Sequence, residues 1–216
     1  KFRSDRVLTL YLFYPWVKSF HLSKAQQISI LMYHSISDHK EDVVHPYFGI
    51  NTSPAIFEKQ LKFLYANHYS VIDLKNIKNY LAPGNNLSNK LAVITFDDGY
   101  RDFYNQAFPI LQRYNFTATV FLPTSYIGNE NLKYQGKECL NWSEVLSLSK
   151  KGINFGSHTE THPILNALKI DEVEKEIKTS KETIEDMTGQ PVDSFSYPFK
   201  FPEADRQFVN SLRVIL

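Results

Sequence analysis

The 216-residue sequence has a single cysteine, Cys139, which excludes an internal disulfide framework and any multi-cysteine zinc site. It lacks a run of the roughly 18 consecutive apolar residues that a membrane helix needs. The greasiest early stretch, residues 7–16 (VLTLYLFYPW), is short and is interrupted by Pro15. It lacks an excess of either charge: 24 Lys+Arg against 23 Asp+Glu leave +1, which argues against a protein whose main work is gripping nucleic-acid phosphates. It also lacks internal repeats and low-complexity runs. What is present is ordinary globular composition, 43% hydrophobic and 22% charged, at a length that suits one domain with a proper core. Aromatic residues reach 14%, a mild hint of a sugar-contacting or packed barrel protein. The first residue is Lys1 and not Met, so the expectation is a processed or trimmed chain, and a signal peptide or anchor missing from it says little about compartment.

Strands and helices alternate along the chain. Residues 28–34 (ISILMYH) read as a buried strand, and 35–52 as a polar loop carrying His39 and His45. Ser53-Pro54 opens a helix, with Ser as N-cap and Pro where its missing N–H costs nothing. Ile56, Leu61 and Leu64 fall near one face of that helix. A further helix is expected over 73–81. Residues 91–96 (LAVITF) are continuously apolar, as in a parallel sheet covered on both faces. A helix over 100–114 is bent or split by Pro109. Residues 117–122 and 153–155 read as strands, with a helix over 141–151 between them, capped by Asn141 or Ser143. Ile170, Val173, Ile177, Ile184 and Met187 stripe a long helix that Gly189 ends, and its charges read as a solvated face with pairs such as Glu174–Lys178. A last short strand covers 194–197. This order implies parallel strands with crossover helices, an α/β barrel or open sheet. The barrel is favoured because the polar chemistry clusters just after strand ends.

Two clusters carry that chemistry. Asp97 and Asp98 directly follow the apolar strand, and Gly99 lets the chain turn. Like charges this close resist joint ionisation unless a cation or donor compensates them. A polar turn closing a strand has the same appearance. His158 and His162, four residues apart, lie on one side of a helical turn or of a tight loop, close enough to share a metal, and Pro163 disfavours helical geometry at His162. Two surface histidines would look alike in sequence. One carboxylate with two imidazoles leaves coordination positions open, and a second carboxylate beside them is the arrangement for metal-assisted hydrolysis.

TFDDG at 95–99, SHTETHP at 157–163 and SYPF at 196–199 resemble, in order and spacing, three motifs of the polysaccharide deacetylases, carbohydrate esterase family 4. The resemblance covers about residues 28–199. It implies an α/β fold, a distorted and incomplete (β/α) barrel of the polysaccharide deacetylase type, over 28–216 after an N-terminal extension at 1–27. It implies removal of N-acetyl groups from amino sugars. Carried over residue by residue, Asp97 is the catalytic base, Asp98, His158 and His162 are the metal ligands, and Tyr197 offers its backbone N–H to the oxyanion. Two positions depart from the pattern: Ser194 stands where the family often has Arg, and Lys200 where it often has Gly. The late Leu-x-x-His motif that usually supplies the acid does not occur before Leu216.

LMYHSI at 31–36 and DDGYRDFY at 97–104 resemble the branch that deacetylates poly-β-1,6-N-acetylglucosamine of biofilm matrix, where the motif order is permuted and an early Met-Tyr-His strand supplies the acid. His34 is therefore the expected acid; a histidine at a strand end is also a common core residue. The implied chemistry is water attack assisted by one divalent ion, with Asp97 taking a proton and His34 giving one to the leaving amine. Zn²⁺ suits these ligands, with Co²⁺ or Ni²⁺ as alternatives. Tyr100, Pro198 and Phe199 are expected to contact substrate; Tyr104, Tyr126 and Trp142 are candidate sugar platforms, although packing is the commoner role of such aromatics and the place of Trp142 at a helix start favours a structural one. Cys139 is expected to be inert. The expected partner is a polysaccharide, with peripheral membrane or cell-wall association and an extracytoplasmic location (secreted, cell surface or periplasmic), because such polymers lie outside the cytoplasm. A peptidoglycan or chitin-oligomer deacetylase would use the same site, and a carbohydrate-binding protein with a degenerate site is the reading from another class.

Overall fold

In the computed structural model, which describes residues 28–39, 49–82, 90–199 and 201–216, the apolar runs align as parallel strands. Strand β1 (Ile28–Tyr33) is followed by two short parallel strands, β2 (Ser35–Ile36) and β3 (Asn51–Thr52), inside the segment expected to be loop. Next come β4 (Tyr69–Val71), β5 (Lys90–Phe96) and β6 (Thr119–Leu122). The antiparallel pair β7 (Lys133–Tyr134) and β8 (Lys137–Glu138) precedes β9 (Asn154–Ser157). The main sheet runs β1-β5-β6-β9, with β4 also paired to β5, and every pairing in it is parallel. β1 follows β5 along its length (Ile28 opposite Leu91, Tyr33 opposite Phe96), while β4 and β6 share its other edge. A single bridge from Ser157 to Phe195 extends the arc in place of the strand expected over 194–197. Among the described residues these strands form an open arc of a barrel. The extension at 1–27, His45 and Lys200 lie outside the described residues.

β5 shows why a continuous apolar run was required. All its residues after Lys90 are buried, because helices and loops cover both faces. Helix α1 (Pro54–Ala66) begins where expected: Ser53 Oγ accepts from Ile56 N, and Pro54 takes the first turn. Its buried stripe is Phe57, Leu61 and Leu64, while Ile56 is exposed. Phe57 is selected by packing, because it meets Tyr33 and Phe96 edge-on at ring distances of 5.0 and 5.7 Å. Full burial of one such side chain is worth ~1.5–3 kcal/mol. The helix expected over 73–81 is a 3₁₀ turn (Leu74–Asn76) running into the single turn α2 (Ile77–Tyr80). Pro109 has the expected effect: a π-helical turn (Phe103–Ala107) gives way to α3 (Phe108–Arg113), with Pro109 in its first turn, where a proline is tolerated. Helix α4 (Trp142–Ser149) is capped by Asn141. Helix α5 (Ile170–Thr188) ends at Gly189, and α6 (Arg206–Ile215) closes the described chain. The buried stripe of α5 is Val173, Ile177, Ser180 and Ile184; Ile170 and Met187, expected on it, are exposed where it runs past the ends of the core.

Candidate metal centre

The parallel strands end at the same side of the sheet, and the chemistry gathers there. His34 follows β1, Asp97 and Asp98 follow β5, His158 follows β9, and Ser196 and Tyr197 follow the Phe195 bridge. Backbone hydrogen bonds lace these ends together: Asp97 N to Tyr33 O (2.9 Å), His158 N to Leu122 O (3.1 Å) and Ser196 N to Ser157 O (3.0 Å). The turn after β5 needs Gly99 on two counts. Its φ is +60°, and a Cβ there would stand 2.9 Å from Cδ2 of Leu122. Asp98, Thr159 and His162 also take positive φ, at 68°, 68° and 58°. For a β-branched residue such as Thr159 this is strained, at ~1–3 kcal/mol per such residue, and such strain collects at functional sites.

Asp98, His158 and His162, all buried, converge. Asp98 Oδ1 lies 3.4 Å from His158 Nε2 and 3.2 Å from His162 Nε2, and the two Nε2 atoms are 3.1 Å apart. Four ligands at bond lengths of about 2.0–2.1 Å in a tetrahedron stand about 3.3 Å from one another. The three atoms thus match one face of a zinc-sized tetrahedron and leave its remaining vertex open. The outer ring atoms are oriented as metal-binding imidazoles require. His158 Nδ1 is 2.8 Å from Ser196 O, which makes Nδ1 the protonated nitrogen and directs the Nε2 lone pair inward. His162 Nδ1 is 2.7 Å from the Tyr134 hydroxyl, which also accepts from Gln135 Nε2 at 2.9 Å.

The electrostatics separate the two carboxylates. Burial alone would raise Asp98, but hydrogen bonds to His158 and His162 overcome it and hold Asp98 well below the usual carboxylate range. Burial works against a charge on His158, yet the Asp98 hydrogen bond and the Asp97 charge lift it above an ordinary imidazole. Asp97 is pushed up, first by burial and then by the charge of Asp98; His158, His34 and the Ser196 hydroxyl pull against that rise without cancelling it. Its Oδ2 accepts from Ser196 Oγ at 3.2 Å, and its Oδ1 is buried with no hydrogen-bond partner among the described residues. His34, half-buried, stands close enough to Asp97 and Asp98 for its charge to act on both.

The expected substrate contacts divide. Phe199 is 58% exposed and packs edge-on against the His162 ring at 4.7 Å, so it presents a free face beside the triad. Pro198, its neighbour in the chain, is buried and offers none. Tyr100 is 1% exposed, stacked on Tyr134 and packed in the core, so it cannot serve as a sugar platform. Its position after the Asp98-Gly99 turn points it inward. Trp142 is likewise buried, whereas Tyr104 and Tyr126 are half-buried. Burial pushes the Cys139 thiol up to about 12, which makes it a poor nucleophile. Ser194, at the position where the family often has Arg, uses its carbonyl to accept from Ser157 N at 3.0 Å. Tyr134 and Ser196, which hydrogen-bond to His162 and to His158 and Asp97, are site neighbours that sequence reasoning missed. Ser196 was visible within SYPF but had no assigned partner, and nothing local marks Tyr134.

These features agree with what the chain resembles. The family pattern described as polysaccharide deacetylase matches residues 84–213, and the chain belongs to that family. YxkH, a polysaccharide deacetylase homologue of Bacillus subtilis (strain 168), is 32% identical over 183 residues, 85% of this chain and 59% of that protein. The poly-β-1,6-N-acetyl-D-glucosamine N-deacetylase of Staphylococcus aureus (strain MSSA476) is 30% identical over 134 residues, 62% of this chain and 44% of that protein. Among solved structures, the Streptococcus pyogenes deacetylase PplD in complex with acetate superposes with a TM-score of 0.70 at 26% identity, covering 88% of this chain and 81% of that one. The chain spans about half the length of the curated relatives it matches.

Proposed function

We propose that this chain is a metal-dependent N-deacetylase that hydrolyses N-acetyl groups of an N-acetylglucosamine exopolysaccharide, poly-β-1,6-N-acetylglucosamine, and releases acetate. The observation that carries this reading is the meeting of the Asp98 carboxylate and the His158 and His162 Nε2 atoms at 3.1–3.4 Å, with Asp97 and His34 beside them. The linkage preference is supported by the Staphylococcus aureus relative and by His34, whose early place in the chain fits that branch. A divalent ion held by the triad, Zn²⁺ by its ligand set, supplies Lewis acidity toward an acyl oxygen and lowers the pKa of water. Such a polymer lies outside the cytoplasm, so the protein acts there. No described helix is long and apolar enough to cross a membrane.

The chain's own residues supply the proton traffic. Asp97 Oδ1 accepts the proton of the attacking water, and the Ser196 hydroxyl holds Oδ2 so that Oδ1 faces the reaction. The upward shift of Asp97 suits this task, because a carboxylate lifted by burial above its ordinary range holds the proton it gains more firmly. The Tyr197 N–H, which donates to nothing among the described residues, is the donor for the oxyanion; such a donor is worth ~2.7–4 kcal/mol when well aimed. His34 delivers a proton to the departing nitrogen, since an amine expelled as an anion would be prohibitively basic. Phe199 forms an apolar wall beside the reacting acetyl group. Acetate and a free glucosamine amine result.

The test is acetate release from β-1,6- and β-1,4-linked N-acetylglucosamine oligomers, with and without chelator. Chelator-sensitive release that prefers the β-1,6 oligomer is expected. Preference for the β-1,4 oligomer points to the chitin or peptidoglycan class, and binding without release would defeat the enzymatic reading.

A further inference from the structure

The loop that presents both histidines is held from outside the site. Glu176, on α5, accepts three hydrogen bonds from its tip: Oε2 takes Glu160 N (2.9 Å) and Thr161 N (2.8 Å), and Oε1 takes Thr161 Oγ1 (2.7 Å). One turn further along the same helix, buried Ser180 accepts from Ser157 Oγ at 3.1 Å, and that hydroxyl also receives Thr159 N at 3.3 Å. Residues four apart share a helix face, so Glu176 and Ser180 grip the segment at its tip and at its root. The helix can bear on the loop because Val173, Ile177 and Ile184 bury its inner stripe. The segment needs holding: Thr159 and His162 both take left-handed conformations, which ordinary residues keep only when their surroundings over-determine them. Within the loop His162 N donates to Thr159 Oγ1 at 3.0 Å, and on the far side Thr124 N and Ser125 N donate to Thr159 O and Glu160 O at 3.2 and 2.9 Å. Glu176 supplies the only carboxylate in this set, and its bonds to backbone N–H groups are charge-assisted, the stronger class.

We propose that Glu176, with Ser180 one turn away, is a positioning residue that clamps the 157–162 loop and preorganises His158 and His162 for their metal. The clamp rests on the metal-site reading above and adds to it a residue that touches neither ion nor substrate. Its loss lets the loop relax from its left-handed turns, and the two Nε2 atoms lose their common focus.

The test is zinc affinity, read by competition with a chromophoric zinc chelator, together with the visible spectrum of the Co²⁺-loaded chain and the melting temperature of the metal-free chain. Glu176→Ala is expected to weaken Zn²⁺ binding about 10–100-fold, the usual cost of removing an outer support of a metal ligand, and to change the Co²⁺ bands. Glu176→Gln keeps an oxygen for the two N–H donors without the charge, so a smaller loss is expected. Glu174→Ala, exposed on the same helix, is expected to bind zinc as the wild type does. A lowered melting temperature with unchanged zinc affinity and unchanged Co²⁺ bands overturns the clamp, because Glu176 would then serve the fold alone. If Glu176→Ala does not fold, Thr161→Val and Glu176→Gln decide: weakened zinc affinity supports the clamp and wild-type affinity in both overturns it. A wild-type chain without zinc affinity overturns the metal site and the clamp together, whereas a wild type that binds zinc as tightly as Glu176→Ala overturns the clamp only.

Discussion

Gly156 of β9 stands opposite Phe121 of β6, two residues before His158. A Cβ there would stand 2.5 Å from Cε1 of Phe121 and 2.7 Å from Ser194 Oγ. Gly156→Ala must therefore displace a buried ring or the Ser194 segment, and overpacking of this kind costs ~1–3 kcal/mol; an unfolding free energy in urea lowered by that amount is expected. The site residues make a second prediction, about pH. In the metal-free chain Asp98 sits below its unfolded value of about 3.9, so its contribution is present above that value and is lost as pH falls through the lower folded one. His158 sits above its unfolded value of about 6.5, so its contribution is complete below that and is lost as pH rises through the higher folded one. The pair stabilises the metal-free chain most between these limits, and its melting temperature should fall as pH climbs past about 6.5, a fall that Asp98→Asn should reduce, with the Asp97 charge left to act on His158. Zinc requires neutral imidazoles, so its stabilising effect should grow over the same range. A metal-free melting temperature that rises there contradicts the pairing. Asp97, Asp98, His158 and His162 were legible in sequence because chemistry bound to a strand end leaves a local mark. Tyr100 was not, because an aromatic after a turn reads alike whether it faces solvent or, as here, the core.

Helix α4 carries a complete capping box: Asn141 Oδ1 accepts from Glu144 N at 2.9 Å, and Glu144 Oε2 accepts from Asn141 N at 3.1 Å. Glu144 is buried and also meets Arg101 Nε at 2.9 Å, which ties the helix start to the turn that follows the Asp97-Asp98 pair. Asn141→Ala should cost ~1 kcal/mol, within the ~0.5–2 kcal/mol range for such caps, measured by denaturant unfolding; no change would show that the box is dispensable. Caps and terminators could be read from sequence because they depend on a few adjacent residues. Buried faces were harder. Ile56 and Phe57 both fit a stripe through Leu61 and Leu64, and the choice rests with Tyr33 and Phe96 on other elements. Likewise Glu176, on the border of the buried stripe of α5, reads as one more charge of a solvated face. That face exists, with pairs Lys178–Glu182 (3.9 Å) and Lys181–Glu185 (2.8 Å) in place of the expected Glu174–Lys178, because Lys178 reaches toward Glu182 instead, but Glu176 turns from it toward the histidine loop. The short β7–β8 hairpin, which brings Tyr134 to His162, has too little apolar pattern to announce itself.

At the scale of the molecule, parallel pairing gathers the site. Strands β1, β5 and β9 run the same way, so residues some 60 apart in sequence end side by side, and the open arc places them at one rim. The α/β class follows from alternating strand and helix patterns, and the barrel-like arc from polar chemistry placed just after strand ends together with the family resemblance, which is why they could be read in advance. The shared edge of β5, with β4 on its first half and β6 on its second, could not, because register depends on how whole strands twist past one another. The central claim is that one divalent ion sits among Asp98, His158 and His162 while Asp97 moves the proton. Elemental analysis of purified wild type, Asp97→Asn and His158→Ala, paired with acetate release from an N-acetylglucosamine oligomer, tests it most directly. One ion per chain is expected in the wild type and in Asp97→Asn and none in His158→Ala, with acetate release in the wild type alone and a loss of ~10²-fold or more in Asp97→Asn. A His158→Ala chain that keeps its ion, or an Asp97→Asn chain at full rate, would contradict it.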